Sequence, residues 1–282
     1  MAFQVFEAES RSILSATTGF IRAAGFSHSL TPARNCTFGC TYCYVPTMRV
    51  YGGLRSEDWT HWGQFTTFKS NAAGLLGRQL RSDQVIYCSP LVDPYQPAEE
   101  TQKAMPAIFE ALLQSPPRVF TIQTRGPLIV RDLEGLRQLS RRTDLRVSFS
   151  VTTDREDVRR IYEPHCATIC DRLQTIATLR DAGIRTFVTL APILPCMPEQ
   201  LARLALEASR EDIIADPFHV RAVKRHGATT REAAARIAGK RGEPEWMDPQ
   251  FQAAILERMG DVVRAAGRRF GVGEEGFSWL AN

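Results

Sequence analysis

Three cysteines, Cys36, Cys40 and Cys43, fall within the eight residues 36–43 of the stretch TPARNCTFGCTYCYVPTMR, at the spacing C-x3-C-x2-C. Thiolates are soft metal ligands, and three are one short of a closed four-ligand site. Four readings compete for them. Haem attachment needs C-x-x-C-H, and Tyr44 stands where the histidine belongs. A structural zinc needs a fourth ligand at similar local spacing, and the nearest candidates, His61 and Cys88, lie at no usual interval. Cysteines acting as small buried hydrophobes fit poorly in a loop rich in Gly, Thr and Asn. The fourth reading is an iron–sulfur cluster on three thiolates, with one iron left open for an outside ligand. An open coordination position marks a catalytic metal site.

The elements that would carry this loop alternate strand and helix. SHSLTP (27–32) reads as a first strand and TTFKSNAAGLLGRQLR (66–81) as its helix. Then come QVIYCS (84–89) with a helix over 98–114, RVFTIQT (118–124) with a helix over 127–142, and LRVSFSVTT (145–153) with a helix over 168–182. RTFVTLAPIL (185–194) is followed by a helix over 198–209, and DIIADPFHV (212–220) is a last strand. Pro127 suits a first helical turn, and Gly183 a helix stop. Six strand–helix units imply a parallel sheet with right-handed crossovers. The expected fold is therefore α/β, a partial (β/α)6 barrel with its site at the C-terminal strand ends. A lead-in segment (1–26) precedes the barrel (27–220), and a helical extension (221–282) follows it, with Asp248 and Pro249 opening one helix.

Composition bounds the function. A chain of 282 residues, 44% hydrophobic and 23% charged, is that of a soluble globular protein with a full core. The acidic start MAFQVFEAES does not read as a secretory signal, and no apolar run is long enough to span a bilayer. The expectation is a cytoplasmic protein with no membrane partner, in which seven cysteines are not a disulfide framework. A net charge of +4 permits an anionic substrate without demanding one.

C-x3-C-x2-C after a first strand, with Tyr42 before the last cysteine, resembles the signature of the radical S-adenosylmethionine superfamily. The resemblance implies a [4Fe–4S] cluster whose open iron is chelated by S-adenosylmethionine. Reductive cleavage, with electrons from a partner such as flavodoxin or ferredoxin, would yield a 5′-deoxyadenosyl radical that abstracts hydrogen from substrate. Further stretches sharpen it. The entry SRSILSATTGFIRAAGFSHSLTPARNCTFGCTYCYVP, LVDPYQPAE, TRGPLIVRDLEGL, VSFSVTT and APILP are similar to motifs of the spore photoproduct lyase-like family over roughly residues 9–200. By that resemblance Ser89 and Asp93 would face the ammonium of S-adenosylmethionine. Arg125, where the family has Lys, would bind its carboxylate, and Ser150 the carboxylate or ribose. Backbone groups from Ala191 to Ile193 would meet the adenine. Asp93 before Pro94 also reads as an ordinary turn, and Ser150 as a core-facing serine.

The remaining cysteines, Cys88, Cys166, Cys170 and Cys196, all fall near strand ends. In spore photoproduct lyase a cysteine after the second strand donates hydrogen to the product radical, and Cys88 stands near that position. The other reading, which the set of four favours over a single donor, makes all four ligands of an auxiliary iron–sulfur cluster used for sulfur insertion or redox chemistry. The basic run RAVKRHGATTREAAARIAGKRG (221–242) could meet phosphates, but more often such a run is a solvated helix face. The expected substrate is nucleoside- or nucleotide-sized, with DNA as the repair alternative. A rival from another class is a non-catalytic zinc-dependent nucleic-acid-binding protein.

Overall fold

The structure, a computed structural model, describes residues 3–47, 61–218 and 232–282. Strands β1 (Gln4–Ala8), β4 (Ala33–Arg34) and β5 (Phe65–Lys69) form a small sheet in the order β1-β5-β4. The main sheet has eight strands. Its core is six parallel strands: β3 (His28–Leu30), β6 (Val85–Cys88), β7 (Val119–Thr124), β8 (Asp144–Ser150), β9 (Arg185–Leu190) and β10 (Ile213–Ala215). β2 (Leu14–Ala16) joins antiparallel beside β3, and β11 (Phe270–Val272) joins parallel beside β10. This is the expected partial (β/α)6 barrel, and the chain after residue 221 returns a strand as well as helices.

The short helices α1 (Gly19–Ala23) and α2 (Ala72–Gln79) precede α3 (Glu99–Gln102), α4 (Ala104–Gln114) and α5 (Leu133–Ser140). Then come α6 (Glu156–Tyr162), α7 (Ile169–Asp181), α8 (Pro198–Ala208), α9 (Glu232–Lys240), α10 (Pro249–Ala265) and α11 (Glu274–Ser278). Ile86, Cys88, Phe120, Ile122, Val147 and Phe149 pack outward among the apolar residues of α2, α4, α5 and α7. Alternate residues point inward. There Val85, Tyr87, Val119, Phe187 and Ile214 pack on Phe26, Phe277, Leu280 and Ala281. The chain's last residues therefore fill the lower half of the barrel, pinned by Thr121 Oγ1 to the Leu280 carbonyl (2.6 Å) and Arg146 Nη1 to the Trp279 carbonyl (2.8 Å).

Several boundaries differ from the sequence reading. The helix expected over 66–81 is strand in its first part, because Thr66 and Phe68 alternate inward on a β-branched run, and helix begins only at Ala72. The helix expected over 98–114 breaks at Lys103, which is left-handed (φ 50°), and Glu99 caps the restart by accepting from Ala104 N (3.1 Å) and Met105 N (2.9 Å). Pro106 lacks the N–H an uninterrupted helix would need, so a new first turn suits it. The segment after β7 opens as a 3-10 turn over Pro127–Asp132, and α6 is an element the sequence reading lacks. The expected features at Gly183 (φ 80°) and at Asp248, which accepts from Gln250 N and Phe251 N, are present. No helix among the described residues is long and apolar enough to cross a membrane. The basic run over 221–242 lies outside the described residues up to 231, and α9 covers most of its remainder.

Candidate active site

The cysteine loop leaves β4 and wraps back on itself. Asn35 (φ 62°) and Gly39 (φ 61°) both take left-handed conformations, and Gly39 lies directly against Gly63. A Cβ on Gly39 would sit 3.2 Å from Gly63 Cα and 3.3 Å from a carbon of the His165 ring. Gln96, buried in the loop after β6, anchors the turn. Its Oε1 accepts from Thr37 N (2.9 Å) and Thr37 Oγ1 (3.0 Å), and its Nε2 donates to Thr66 Oγ1 (3.1 Å). On the other side, Thr41 N donates to the Tyr162 carbonyl (2.9 Å). The loop is thus held between the small sheet, the loop after β6 and α6. Cys36 and Cys40 are buried and Cys43 half-buried.

Asp93 organises the ends of β6 and β7. Its carboxylate accepts from Tyr95 N (2.9 Å), Thr124 Oγ1 (2.6 Å) and Arg125 N (2.8 Å). Burial pushes its pKa up, against those donors and the Arg125 guanidinium. The turn role read from the sequence is therefore real, and it fixes the backbone from which Arg125 projects. Ser89 Oγ, just past β6, is buried without a hydrogen-bond partner among the described residues. Ser150 faces the barrel interior, where Gln123 Nε2 lies 3.5 Å from its Oγ. Below it, Ser148 and Thr189 share a hydrogen bond of 2.6 Å. The upper lumen is consequently polar where the lower half is apolar. Ala191 is half-buried, and Ile193 commits its N–H to the Asp216 carbonyl (3.0 Å).

A residue absent from the sequence reading links these parts. Glu163, fully buried at the end of α6, accepts from Tyr42 OH, from Arg125 Nη1, from Arg172 Nη2 (2.6 Å) and from Thr152 Oγ1 (2.9 Å). Burial pushes its pKa up, but the guanidiniums of Arg172 and Arg125 prevail and hold it down at about 2. Arg125 Nη1 also reaches Tyr42 OH and Cys40 Sγ, the latter at 3.6 Å. Cys166 Sγ lies 3.9 Å from Cys40 Sγ. The hydrogen bond from Cys166 lowers the Cys40 pKa, while burial raises that of Cys166. In the sequence only Cys166, three residues on, marked the segment. A glutamate beside a proline carries no mark of burial in sequence.

Cys40, Glu163 and Cys166 are the one group of three metal-ligating side chains, among the described residues, whose ligand atoms all lie within 4.8 Å. They do not read as a closed single-ion site, because four donors already occupy the carboxylate and two of them are cations. Cys36, Cys40 and Cys43 are not so tightly gathered, and a four-iron cluster does not ask it, since each thiolate binds a different iron.

The other cysteines disperse. Cys170 is exposed on the first turn of α7, whereas the buried Cys166 lies before the helix, ahead of its N-cap Thr168. Cys88 and Cys196 belong to the helix-packed core, whereas Cys166 packs with Cys36 and Cys40. Among the described residues, no group of three metal-ligating side chains within 4.8 Å of one another includes Cys88, Cys170, Cys196 or His61. Cys88 is wholly buried on the outward face of β6, where the alternation that places Tyr87 in the lumen turns Cys88 toward the helices.

Comparison with known proteins adds the fold's relatives. A mutant of spore photoproduct lyase superposes with a TM-score of 0.62 at 12% identity, covering 95% of this chain and 81% of that one. The fold is that of spore photoproduct lyase. A second mutant of the lyase, with bound AdoMet and dinucleoside spore photoproduct, matches at a TM-score of 0.56 and 14% identity over 87% of this chain and 80% of that one. In sequence, an uncharacterized protein of Mycobacterium tuberculosis is 29% identical over 177 residues, 61% of this chain and 51% of the relative. One from Methanocaldococcus jannaschii is 23% identical over 160 residues, 57% of this chain and 58% of the relative. The chain thus spans about half the length of the curated relatives it matches. No protein-family model matches the sequence.

Proposed function

We propose that this chain is a radical S-adenosylmethionine enzyme that takes hydrogen from a nucleoside-like substrate. The observation that carries the reading is the placement of the C-x3-C-x2-C loop at the C-terminal ends of a lyase-type partial barrel, beside a polar upper lumen. The donor set fits the group. Three thiols on one anchored loop would hold a [4Fe–4S] cluster, and the unpartnered Ser89 Oγ is a buried polar atom that a bound ligand would satisfy. When bound, the cluster and S-adenosylmethionine supply one-electron cleavage of a sulfonium and a carbon radical able to take hydrogen.

The chain's own residues do the positioning. Asp93 fixes the β7 end so that Arg125 projects toward the cysteine loop, and the Nε and Nη2 of Arg125 make no hydrogen bond among the described residues. That edge suits the carboxylate of S-adenosylmethionine. Ser150 and Gln123, side by side in the upper lumen, would bond its ribose or carboxylate. A nucleoside-like substrate is proposed because a solved chain of the same fold was captured with a dinucleoside photoproduct. The reductant would be a flavodoxin or ferredoxin type of partner. Neither finer outcome gains from the geometry: Cys88 faces the helices, and an auxiliary cluster would have to draw Cys88, Cys166, Cys170 and Cys196 together from separate places.

Anaerobic reconstitution tests the reading. The wild type should bind about four irons and four sulfides and release 5′-deoxyadenosine when reduced with S-adenosylmethionine present. The Cys36→Ala/Cys40→Ala/Cys43→Ala variant should bind none and form none. A colourless protein that takes up zinc and ignores S-adenosylmethionine would establish the zinc-dependent binding protein instead. About four irons remaining in the variant would establish an auxiliary cluster on the other cysteines.

A further inference from the structure

We infer that Arg125, held against Cys40 by the buried Glu163–Arg172 pair, sets the reduction potential of the cluster. This rests on the reading that Cys36, Cys40 and Cys43 hold one. The geometry is specific. Arg125 Nη1 lies 3.6 Å from Cys40 Sγ and is bonded at the same time to Tyr42 OH and Glu163 Oε1. The opposite carboxylate oxygen of Glu163 accepts from Arg172 Nη2 at 2.6 Å, and Arg172 Nε donates to the Ala167 carbonyl at 3.1 Å. Arg172 and Glu163 are both essentially without solvent exposure.

Charge counting shows what this arrangement does. Arg125 and Arg172 face the carboxylates of Glu163 and Asp93, so the local charges balance, and what bears on the cluster is position: the cationic Nη1 of Arg125 lies 3.6 Å from Cys40 Sγ. Mostly buried, that cation is screened by water much less than a surface charge would be. Hydrogen bonds to ligand sulfurs and local net charge are among the factors that set iron–sulfur potentials. A cationic N–H donor favours the reduced, more negative form, and so makes the electron easier to accept. Mechanical support alone does not account for the charges, since apolar side chains of similar volume often hold buried elements together as well or better. Glu163 is then a positioning residue: its hydrogen bonds go to Tyr42, Arg125, Thr152 and Arg172 rather than to a cysteine, and it acts by fixing where Arg125 points.

The test is a redox titration of the reconstituted holoprotein, followed by the electron paramagnetic resonance signal of the reduced cluster. It is done without S-adenosylmethionine, so that a lost carboxylate contact does not enter. Arg125→Met should lower the reduced-to-oxidised ratio at fixed potential about tenfold, which is 59 mV for one electron. Glu163→Gln discriminates by sign. Removing an anion raises the potential if Arg125 stays where it is, whereas releasing Arg125 from Cys40 lowers it. A lowered potential, with no further fall in the Glu163→Gln/Arg125→Met double variant, supports positioning. An unchanged potential in Arg125→Met, or a raised one in Glu163→Gln, overturns the inference. If Glu163→Gln does not fold, Arg125→Met alone decides. A wild type without a four-iron cluster would instead overturn the functional reading beneath it.

Discussion

Replacing Glu163 by Gln should destabilise the protein by about 3 kcal/mol at neutral pH, and the loss should vanish in acid. The burial of the carboxyl raises its pKa and the guanidiniums of Arg172 and Arg125 lower it, with a net fall from the usual 4.5 to about 2. At 1.36 kcal/mol per pH unit, that fall corresponds to about 3 kcal/mol favouring the folded state. Breaking a buried ion pair by removing one partner costs a similar 3–5 kcal/mol, because uncompensated charge stays behind. A group with a depressed folded pKa contributes fully above its unfolded value. The contribution is therefore complete above about pH 4.5 and lost as pH falls toward 2. Each kcal/mol moves the melting temperature of a large domain by about 2–4 °C, so the variant should melt roughly 6–12 °C lower at pH 7. Circular dichroism melts of both proteins, with iron removed by chelation, measure this at pH 7, 4.5, 3.5 and 2.5. The gap should close across the acid steps. A gap below about 2 °C at pH 7, or one as large at pH 2.5 as at pH 7, would refute the claim that this carboxylate is held ionised by two guanidiniums.

Gly39→Ala should lose about 1–2 kcal/mol from its left-handed backbone and more from the contact with Gly63, and it should retain less iron than wild type on gel filtration. Asp248→Ala, which removes the N-cap of α10 far along the chain from the loop, should cost about 1 kcal/mol in thermal melts while leaving iron content unchanged. Cys170→Ser and Cys196→Ser should each bind as much iron as wild type by colorimetric assay, because one is exposed and the other lies in the helix-packed core. Iron lost from either variant would revive the auxiliary cluster.

Much of the scaffold was legible because local signals carried it. Apolar runs such as VIYC and FTIQT give buried parallel strands, and Gly183, Pro127 and Asp248 mark helix ends by backbone rules that need no tertiary context. Local signals failed where a distant partner overrode them. TTFK joined β1 and β4 as a strand although helix-forming residues follow it, and Lys103 broke a long amphipathic stretch that Glu99 then re-capped. The seven-residue α6 lies in a stretch rich in Arg, Glu and Asp, with too short an apolar period to read.

For the site, the sequence alone determined the donor set of one loop: Cys36, Cys40 and Cys43 are close in the chain, so their spacing constrains their chemistry before any folding. Tertiary structure decided everything that depends on which way a side chain points from a strand, or on which distant segments meet. The two-residue period of β6 sent Cys88 outward, while Tyr87 went inward. Folding also brought Cys166 to Cys40 across 126 positions and Glu163 to Arg125 across 38. Cysteines that look alike in sequence thus part company in space. The buried glutamate that orders the site is visible only once two arginines from separate elements are seen to share it, because a charge is stable in a protein interior only through partners the local sequence does not contain.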